Sequence, residues 1–328
     1  MSIHQKIWMA EIIDNFPLRR PGLQGNYLIQ LSINQRLICK PGQFFKFDIS
    51  RQLTRENLEI IETKDERNTL QIKNLESDNE FLRRMPLIAR PYSVGLSENK
   101  GNKTLLTFLY KILGPGSKRV SELKKGEKII ALGPLGKKYF SFPKGKKRAL
   151  MVAGGVGLPP LLFLEKQLFN KGIKTIHLFI GANTSEKLPL HSEFEIGKVI
   201  KNPKSLPAIF QHLADPRMTI QISTDDGSEG YPGLATDLLE NYLEKIDGQE
   251  DSIIYTCGPW PMMAKTARIA REHNIPCQAC LEEVMGCGIG ACQSCVKKIK
   301  SNNEQGWVYK LVCRDGPVFD ANDVYWEA

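Results

Sequence analysis

The sequence predicts a multidomain chain: an antiparallel β-barrel, then an α/β domain with a parallel sheet, then a small cysteine-rich unit. Three observations carry this. Residues 1–143 read as short strands broken by Pro41-Gly42, Gly114-Pro115-Gly116 and Gly133-Pro134, the pattern of an antiparallel barrel. From 144 to 275 apolar strands alternate with stretches long enough for helical crossovers, which predicts a parallel sheet. From 276 to 328 four cysteines, Cys287, Cys292, Cys295 and Cys313, stand at a spacing that points to a metal centre.

Size and charge bound the rest. A chain of 328 residues holds two or three domains and buries an ample core. With 41% hydrophobic and 25% charged residues it has the composition of a soluble globular protein. The N-terminus lacks the apolar run of a signal peptide. The longest uncharged stretch, Ala149 to Leu164, is too short and too rich in Gly and Pro to cross a bilayer. The expectation is a cytoplasmic protein with no membrane contact. The net charge of +9 is dispersed except for Lys144-Gly-Lys-Lys-Arg148, and no recognition motif accompanies it. A solvated surface or an acidic protein partner therefore explains the charge better than nucleic acid does.

In the barrel region, Gln43 to Ile49 and Thr104 to Ile112 read as strands. Between Ser50 and Met85 the chain is dense in charge of both signs. Leu58–Thr63 and Thr69–Lys73 there suggest a charged hairpin, an insertion at about 51–84 whose function the sequence does not state.

Arg90-Pro91-Tyr92-Ser93 offers a bidentate cation, an aromatic face and a small donor along one strand, a set that suits a flavin dinucleotide. Alone, the tetrapeptide is also an ordinary strand. Gly114-Pro115-Gly116-Ser117 follows the next strand, and its backbone N–H groups and hydroxyl suit a phosphate. By itself it reads equally as a hairpin turn.

In the α/β region the strand Arg148 to Ala153 runs into Gly154-Gly155-Val156-Gly157, with a helix-like segment from Pro159 to Lys171. Further strands begin at Thr175, Thr219 and Ser252, the last ending in Cys257-Gly258-Pro259. Ligands of open α/β sheets bind at the carboxyl ends of strands, so Gly154, Gly155, Gly157, Cys257, Gly258 and Pro259 are candidates to line a nicotinamide crevice. Cys257 reads equally as a core thiol. Asp225-Asp226 follows the third strand and would repel a 2′-phosphate, favouring NAD over NADP; a solvated Asp-Asp-Gly turn is the competing reading.

The cysteines are spaced C-x4-C-x2-C, with seventeen residues between Cys295 and Cys313. This is the plant-type spacing for a [2Fe-2S] cluster. Zinc usually takes two C-x2-C pairs, and a disulfide framework belongs in an oxidising compartment. Gly288 and Gly290 let the loop turn so that backbone N–H groups face the sulfurs. Cys39, Cys277 and Cys280 remain; Cys280 reads as a buried thiol rather than a spare ligand.

The order of these motifs resembles the ferredoxin–NADP reductase superfamily. Within it, Leu281-Glu-Glu-Val-Met-Gly-Cys-Gly-Ile-Gly-Ala-Cys-Gln-Ser-Cys-Val296 and Val312-Cys-Arg-Asp-Gly-Pro-Val-Phe-Asp320 are similar to the electron-transfer subunits of class 1B (NAD-dependent) dihydroorotate dehydrogenase. The resemblance implies an FAD-binding barrel, an NAD-binding domain and a [2Fe-2S] domain. It places FAD against Arg90, Pro91, Tyr92, Ser93, Leu109, Tyr110, Lys111, Gly116 and Ser117, and the cluster on Cys287, Cys292, Cys295 and Cys313. It also implies an NAD-linked oxidoreductase of pyrimidine (UMP) biosynthesis in a heterotetramer, two copies each of this chain and an FMN-bearing catalytic subunit. Electrons from dihydroorotate would pass from FMN through the cluster to FAD and leave on NAD+. No general acid or base is expected on this chain, since cofactors carry such chemistry. The same motifs serve reductase subunits of hydrogenases and of ferredoxin-linked NAD(P) transhydrogenases, the alternative reading. Three departures stand out: the insertion, Ser117 in place of a usual threonine, and Lys137-Lys138 after Gly136 where a glycine is usual.

Overall fold

The computed structural model describes residues 7–18, 25–49, 88–190 and 206–326. The expected charged hairpin lies outside the described residues. Six strands form a closed barrel: β1 (Ile7–Pro17), β2 (Asn26–Ile33), β3 (Phe44–Asp48), β4 (Arg90–Lys100), β5 (Lys103–Lys111) and β6 (Lys128–Leu135). Their spatial order is β1-β2-β5-β4-β3-β6, and every pairing is antiparallel. Alternation sets the faces. Phe45 and Phe47 point inward and meet Phe108 edge-on at 6.0 and 4.9 Å, the favoured aromatic geometry.

After β5 the chain does not simply turn. Pro115–Glu122 forms a helix, α1, with Gly114 at its N-cap and Pro115 in the first turn. Proline is tolerated there because its missing N–H would have had no helical partner.

The second sheet has seven strands in the order β10-β9-β8-β7-β11-β12-β15. These are β7 (Arg148–Gly154), β8 (Thr175–Ala182), β9 (Met218–Thr224), β10 (Tyr231–Pro232), β11 (Ser252–Cys257), β12 (Cys277–Cys280) and β15 (Val318–Asp320). All pair in parallel except β12 with β15. Helices α2 (Leu158–Phe169), α3 (Ala235–Leu243) and α4 (Trp260–Glu272) supply the crossovers. β7 and β11 are buried almost throughout, as strands covered on both faces must be. From β7 the chain builds outward to β8 and β9, then returns to place β11 on the other side of β7. The strand order reverses between β7 and β11, and the crevice opens there.

The sheet continues past residue 275. β12 and β15 extend it, so the cysteine-rich lobe is anchored to the parallel sheet by two of its own strands. The lobe adds the hairpin β13 (Val296–Lys300) with β14 (Trp307–Leu311) and a short helix α5 (Val312–Asp315). Its thiols Cys295 and Cys313 share one hydrophobic cluster with Phe44 and Leu135 of the barrel and with Leu150, Val152 and Ile254 of the sheet. The three parts therefore pack as one body. The basic run is also structural: Lys147 donates to Asp251 at 2.7 Å, and Arg148 donates to the carbonyl of Gly248. Among the described residues no helix is long and apolar enough to cross a membrane.

Candidate functional site

A cavity of about 420 Å³ opens where the three parts meet. β4 contributes Arg90, Pro91, Tyr92 and Ser93, β5 contributes Leu109, Tyr110 and Lys111, and the start of α1 contributes Gly116 and Ser117. All nine flavin candidates thus face one space. Tyr92 is 8% exposed and stacks on Phe47 at 4.7 Å. Its hydroxyl is buried without a hydrogen-bond partner. An orphaned buried hydroxyl is costly, and a ligand rich in hydroxyl and phosphate oxygens would satisfy it. Burial also raises the Tyr92 pKa, keeping that hydroxyl a donor. Gly116 is a cradle: a Cβ there would stand 3.1 Å from Arg90 Nε and 3.2 Å from Ile49 Cδ1. These features fit FAD.

Ser117 has a different job from the one its sequence suggests. Its Oγ accepts from the N–H of Leu113 at 2.8 Å and of Gly114 at 3.3 Å, and donates to the Gly114 carbonyl. The hydroxyl is spent on holding the turn. The free backbone N–H groups of the first turn of α1 are what remain for a phosphate.

The nicotinamide candidates converge as the topology requires. Gly157 lies against the end of β11, where a Cβ would come within 2.2 Å of the Cys257 carbonyl oxygen. A Cβ on Gly258 (φ +149°) would come within 2.8 Å of Gly154 N, and one on Gly154 would meet Pro259 Cδ at 2.4 Å. These glycines exist for close backbone packing. Gly155 differs: its φ is +49° and nothing lies within 4 Å of its would-be Cβ. That is where a dinucleotide phosphate has room. Gly157 and Cys257 also line the cavity of the flavin candidates, so the two sets of candidates share one space. Asp225 accepts from Asn183 Nδ2 at 2.8 Å, and Asp226 accepts from Ser228, whose hydroxyl and N–H hold its carboxylate below the usual range.

The cluster candidates form two pairs. The N–H of Cys287 reaches Cys292 Sγ at 3.3 Å, and the N–H of Cys313 reaches Cys295 Sγ at 3.4 Å. Cys287 Sγ accepts from the N–H groups of Ile289, Ala291 and Cys292 at 3.2–3.4 Å. Gly288 (φ +77°) and Gly290 (φ +87°) make that wrap possible. Burial pushes the Cys287 thiol up, but those N–H donors win and hold it below its ordinary value. Exposed Cys292 is lowered to about 6, chiefly by the Ser294 hydroxyl and N–H. Burial pushes Cys313 in the inner pair up to about 12. Among the described residues no three His, Cys, Asp or Glu side chains close round one point as a single ion requires. Two thiol pairs suit a binuclear cluster with two thiolates on each iron.

Residues 282–325 match the family described as the iron–sulfur cluster binding domain of dihydroorotate dehydrogenase B, and residues 151–268 match the oxidoreductase NAD-binding domain. The "Dihydroorotate dehydrogenase B (NAD(+)), electron transfer subunit" of Caldanaerobacter subterraneus subsp. tengcongensis is 36% identical over 72% of this chain and 81% of its own. That of Fusobacterium nucleatum is 35% identical over 73% and 80%. The chain belongs to this family. Among solved structures, an NADH-dependent reduced ferredoxin-NADP oxidoreductase aligns with a TM-score of 0.65 at 21% identity, covering 97% of this chain and 90% of that one. This likeness establishes the shared fold.

The cavity has a third wall that sequence reasoning missed. Leu281, Glu282, Glu283 and Met285 line it from the segment that leads into Cys287, joined by Cys280 and Pro317. Burial, with the Glu283 charge adding to it, raises the Glu282 pKa. Glu283 is fixed by Lys297 at 2.6 Å. The Leu281-Glu-Glu run was visible, but nothing local says that it faces the barrel. Cys280 lies beside Cys257 in register across β12 and β11 and donates to the Gly42 carbonyl at 3.9 Å. It is a cavity thiol rather than a spare ligand. Cys280 and burial together hold the Cys257 thiol well above its ordinary value, so Cys257 does not read as a reactive thiolate.

Proposed function

We propose that this chain is the electron-transfer subunit of a dihydroorotate dehydrogenase complex, delivering electrons from an FMN-bearing partner subunit to NAD+ in pyrimidine synthesis. One observation carries the reading: the wall of the flavin cavity runs without a break from the nicotinamide crevice (Gly157, Cys257) to Met285, two residues before Cys287. When bound, FAD exchanges single electrons with an iron–sulfur cluster and hydride with a nicotinamide, and the protein's task is to hold the three groups in line.

The residues divide that task. Arg90, Lys111 and the N–H groups of α1 would hold the anionic part of the flavin dinucleotide, and Tyr92 and Ser93 would offer it an aromatic face and hydroxyl donors. Gly155 admits the nicotinamide phosphates. Cys287, Cys292, Cys295 and Cys313 would hold the iron–sulfur cluster. Cys292 is exposed, with Val284 (82% exposed) and Ile289 nearby in the same loop, and this apolar edge is the partner's approach to the cluster. The eight thiols are free, which supports a reducing, cytoplasmic setting.

Co-expression with the catalytic subunit tests the proposal. A complex with two copies of each chain that reduces NAD+ on addition of dihydroorotate, and prefers NADH to NADPH in reverse, is expected. Recovery instead with a hydrogenase- or transhydrogenase-type partner, and no dihydroorotate-dependent NADH formation, overturns it.

A further inference from the structure

Lys46 occupies an unusual place. It lies between Phe45 and Phe47 on β3, so its side chain points out of the barrel, where a lysine normally meets water. Yet Lys46 is 2% exposed. The cluster-ligand loop covers it. Its ammonium donates to the carbonyl of Met285 at 3.4 Å and to that of Gly286. Its stem packs under Gly288, where a Cβ would stand 2.4 Å from Lys46 Cδ. Across the sheet it pairs with Pro91 of the flavin strand. The lysine therefore stands between the flavin wall and the first cluster ligand.

A buried ammonium is costly unless negative charge compensates it. Among the described residues no carboxylate pairs with Lys46; its two acceptors are neutral carbonyls. Burial lowers the Lys46 pKa, and negative charge on Cys287, Cys292 and Cys313, in the lobe that its ammonium and stem touch, is what works against that fall. These are three of the four residues assigned to the cluster.

We infer that Lys46 is the internal counter-cation of the iron–sulfur cluster, a positioning residue that pins the ligand loop to the flavin barrel and raises the cluster's reduction potential. The inference rests on the assignment of Cys287, Cys292, Cys295 and Cys313 as ligands. The electrostatics follow directly. Reduction adds one electron, hence one negative charge, to an already anionic centre. A fixed cation in a low-dielectric site stabilises the reduced form more than the oxidised one. Removing the charge makes the cluster harder to reduce from the partner's side and biases electrons toward the flavin.

The test is a redox titration of the purified flavin-loaded chain, with the reduced cluster followed by electron paramagnetic resonance. Lys46→Met keeps the stem and deletes the charge, while Lys46→Arg keeps the charge. The midpoint potential of Lys46→Met is expected to shift negative, with Lys46→Arg close to wild type. A cluster-loaded Lys46→Met with the wild-type midpoint overturns the inference. Should Lys46→Met lose its iron, retention of iron by Lys46→Arg supports the counter-cation role, and equal loss in both reduces the side chain to packing and sinks it. A wild-type chain without any iron–sulfur signal would instead refute the ligand assignment.

Discussion

The cluster loop and the flavin cavity are neighbours in space but are assembled in opposite ways. The four thiols fall between residues 287 and 313, and most of their hydrogen bonds come from within a few residues of the same loop. The cavity takes its walls from β4, β5, α1, the ends of β7 and β11, and the segment after β12. A local site succeeds or fails by its own side chains. A composite site depends on backbones that approach closely, so glycines such as Gly116 and Gly157 matter in it as much as polar groups do. The teaching is practical: damage to the loop should be confined, and damage to the cavity frame should spread.

The largest effect tests confinement. Cys295→Ser removes a proposed ligand that is 1% exposed, so the cluster's visible absorbance and iron content should vanish while bound FAD stays. Loss of flavin together with iron would show that the two sites are not separable.

Spread is tested next at the cavity frame. Gly157→Ala forces a methyl against the Cys257 carbonyl and should cost about 1–3 kcal/mol of stability, read as a lower denaturation midpoint. It should weaken both FAD and NADH binding. Gly155→Ala meets open space and bears only left-handed backbone strain of about 1 kcal/mol, so it should affect NADH alone. Equal behaviour of the two variants would erase the distinction between packing and ligand-facing glycines.

A smaller effect separates binding from stability. Tyr92→Phe deletes the orphaned hydroxyl, so the FAD dissociation constant should rise about threefold to tenfold. Thermal stability of the flavin-free chain should not fall. Unchanged FAD affinity would mean that the hydroxyl is not what the flavin meets.

The smallest lies on α2, at a residue that is not part of the cavity lining. Burial, with Asp215 adding to it, raises the Glu165 carboxyl to about 8. The folded chain then keeps a proton that the unfolded chain releases above its ordinary value of 4.5. Folding stability should therefore fall as pH climbs from about 4.5 to about 8 and level off beyond. Glu165→Gln should flatten that slope in urea titrations across the range, and a slope unaltered by it would assign the pH dependence elsewhere.

How much of this was legible beforehand follows from the same contrast. The barrel, the parallel sheet and the cluster segment were readable, because alternation, strand-to-crossover spacing and cysteine spacing are local patterns. Arg90-Pro-Tyr-Ser and Gly114-Pro-Gly-Ser were visible as motifs, while the full set of nine flavin candidates came from the family resemblance; the structure brings all nine to one cavity. Ser117 shows a limit: it lines the cavity while its hydroxyl bonds its own turn, and sequence cannot tell such a hydroxyl from one that faces a ligand. The same limit applies to Gly154 and Gly157, which look like phosphate glycines and act as contact points between β7 and β11.

The sequence by itself determined which chemistry is present, because thiolates, glycines and an Arg-Pro-Tyr-Ser strand carry their chemistry wherever they fold. Only the tertiary structure decided which of these groups share a space. Glu282 became part of the flavin wall and Cys280 a partner of Cys257 through the pairing of β11 with β12. Lys46 came to lie under the cluster loop because the lobe packs against the outside of β3. The physical reason is that a side chain's charge and reach are set by its own atoms. Its burial and its counter-charges belong to residues hundreds of positions away, which only the packed chain brings within contact.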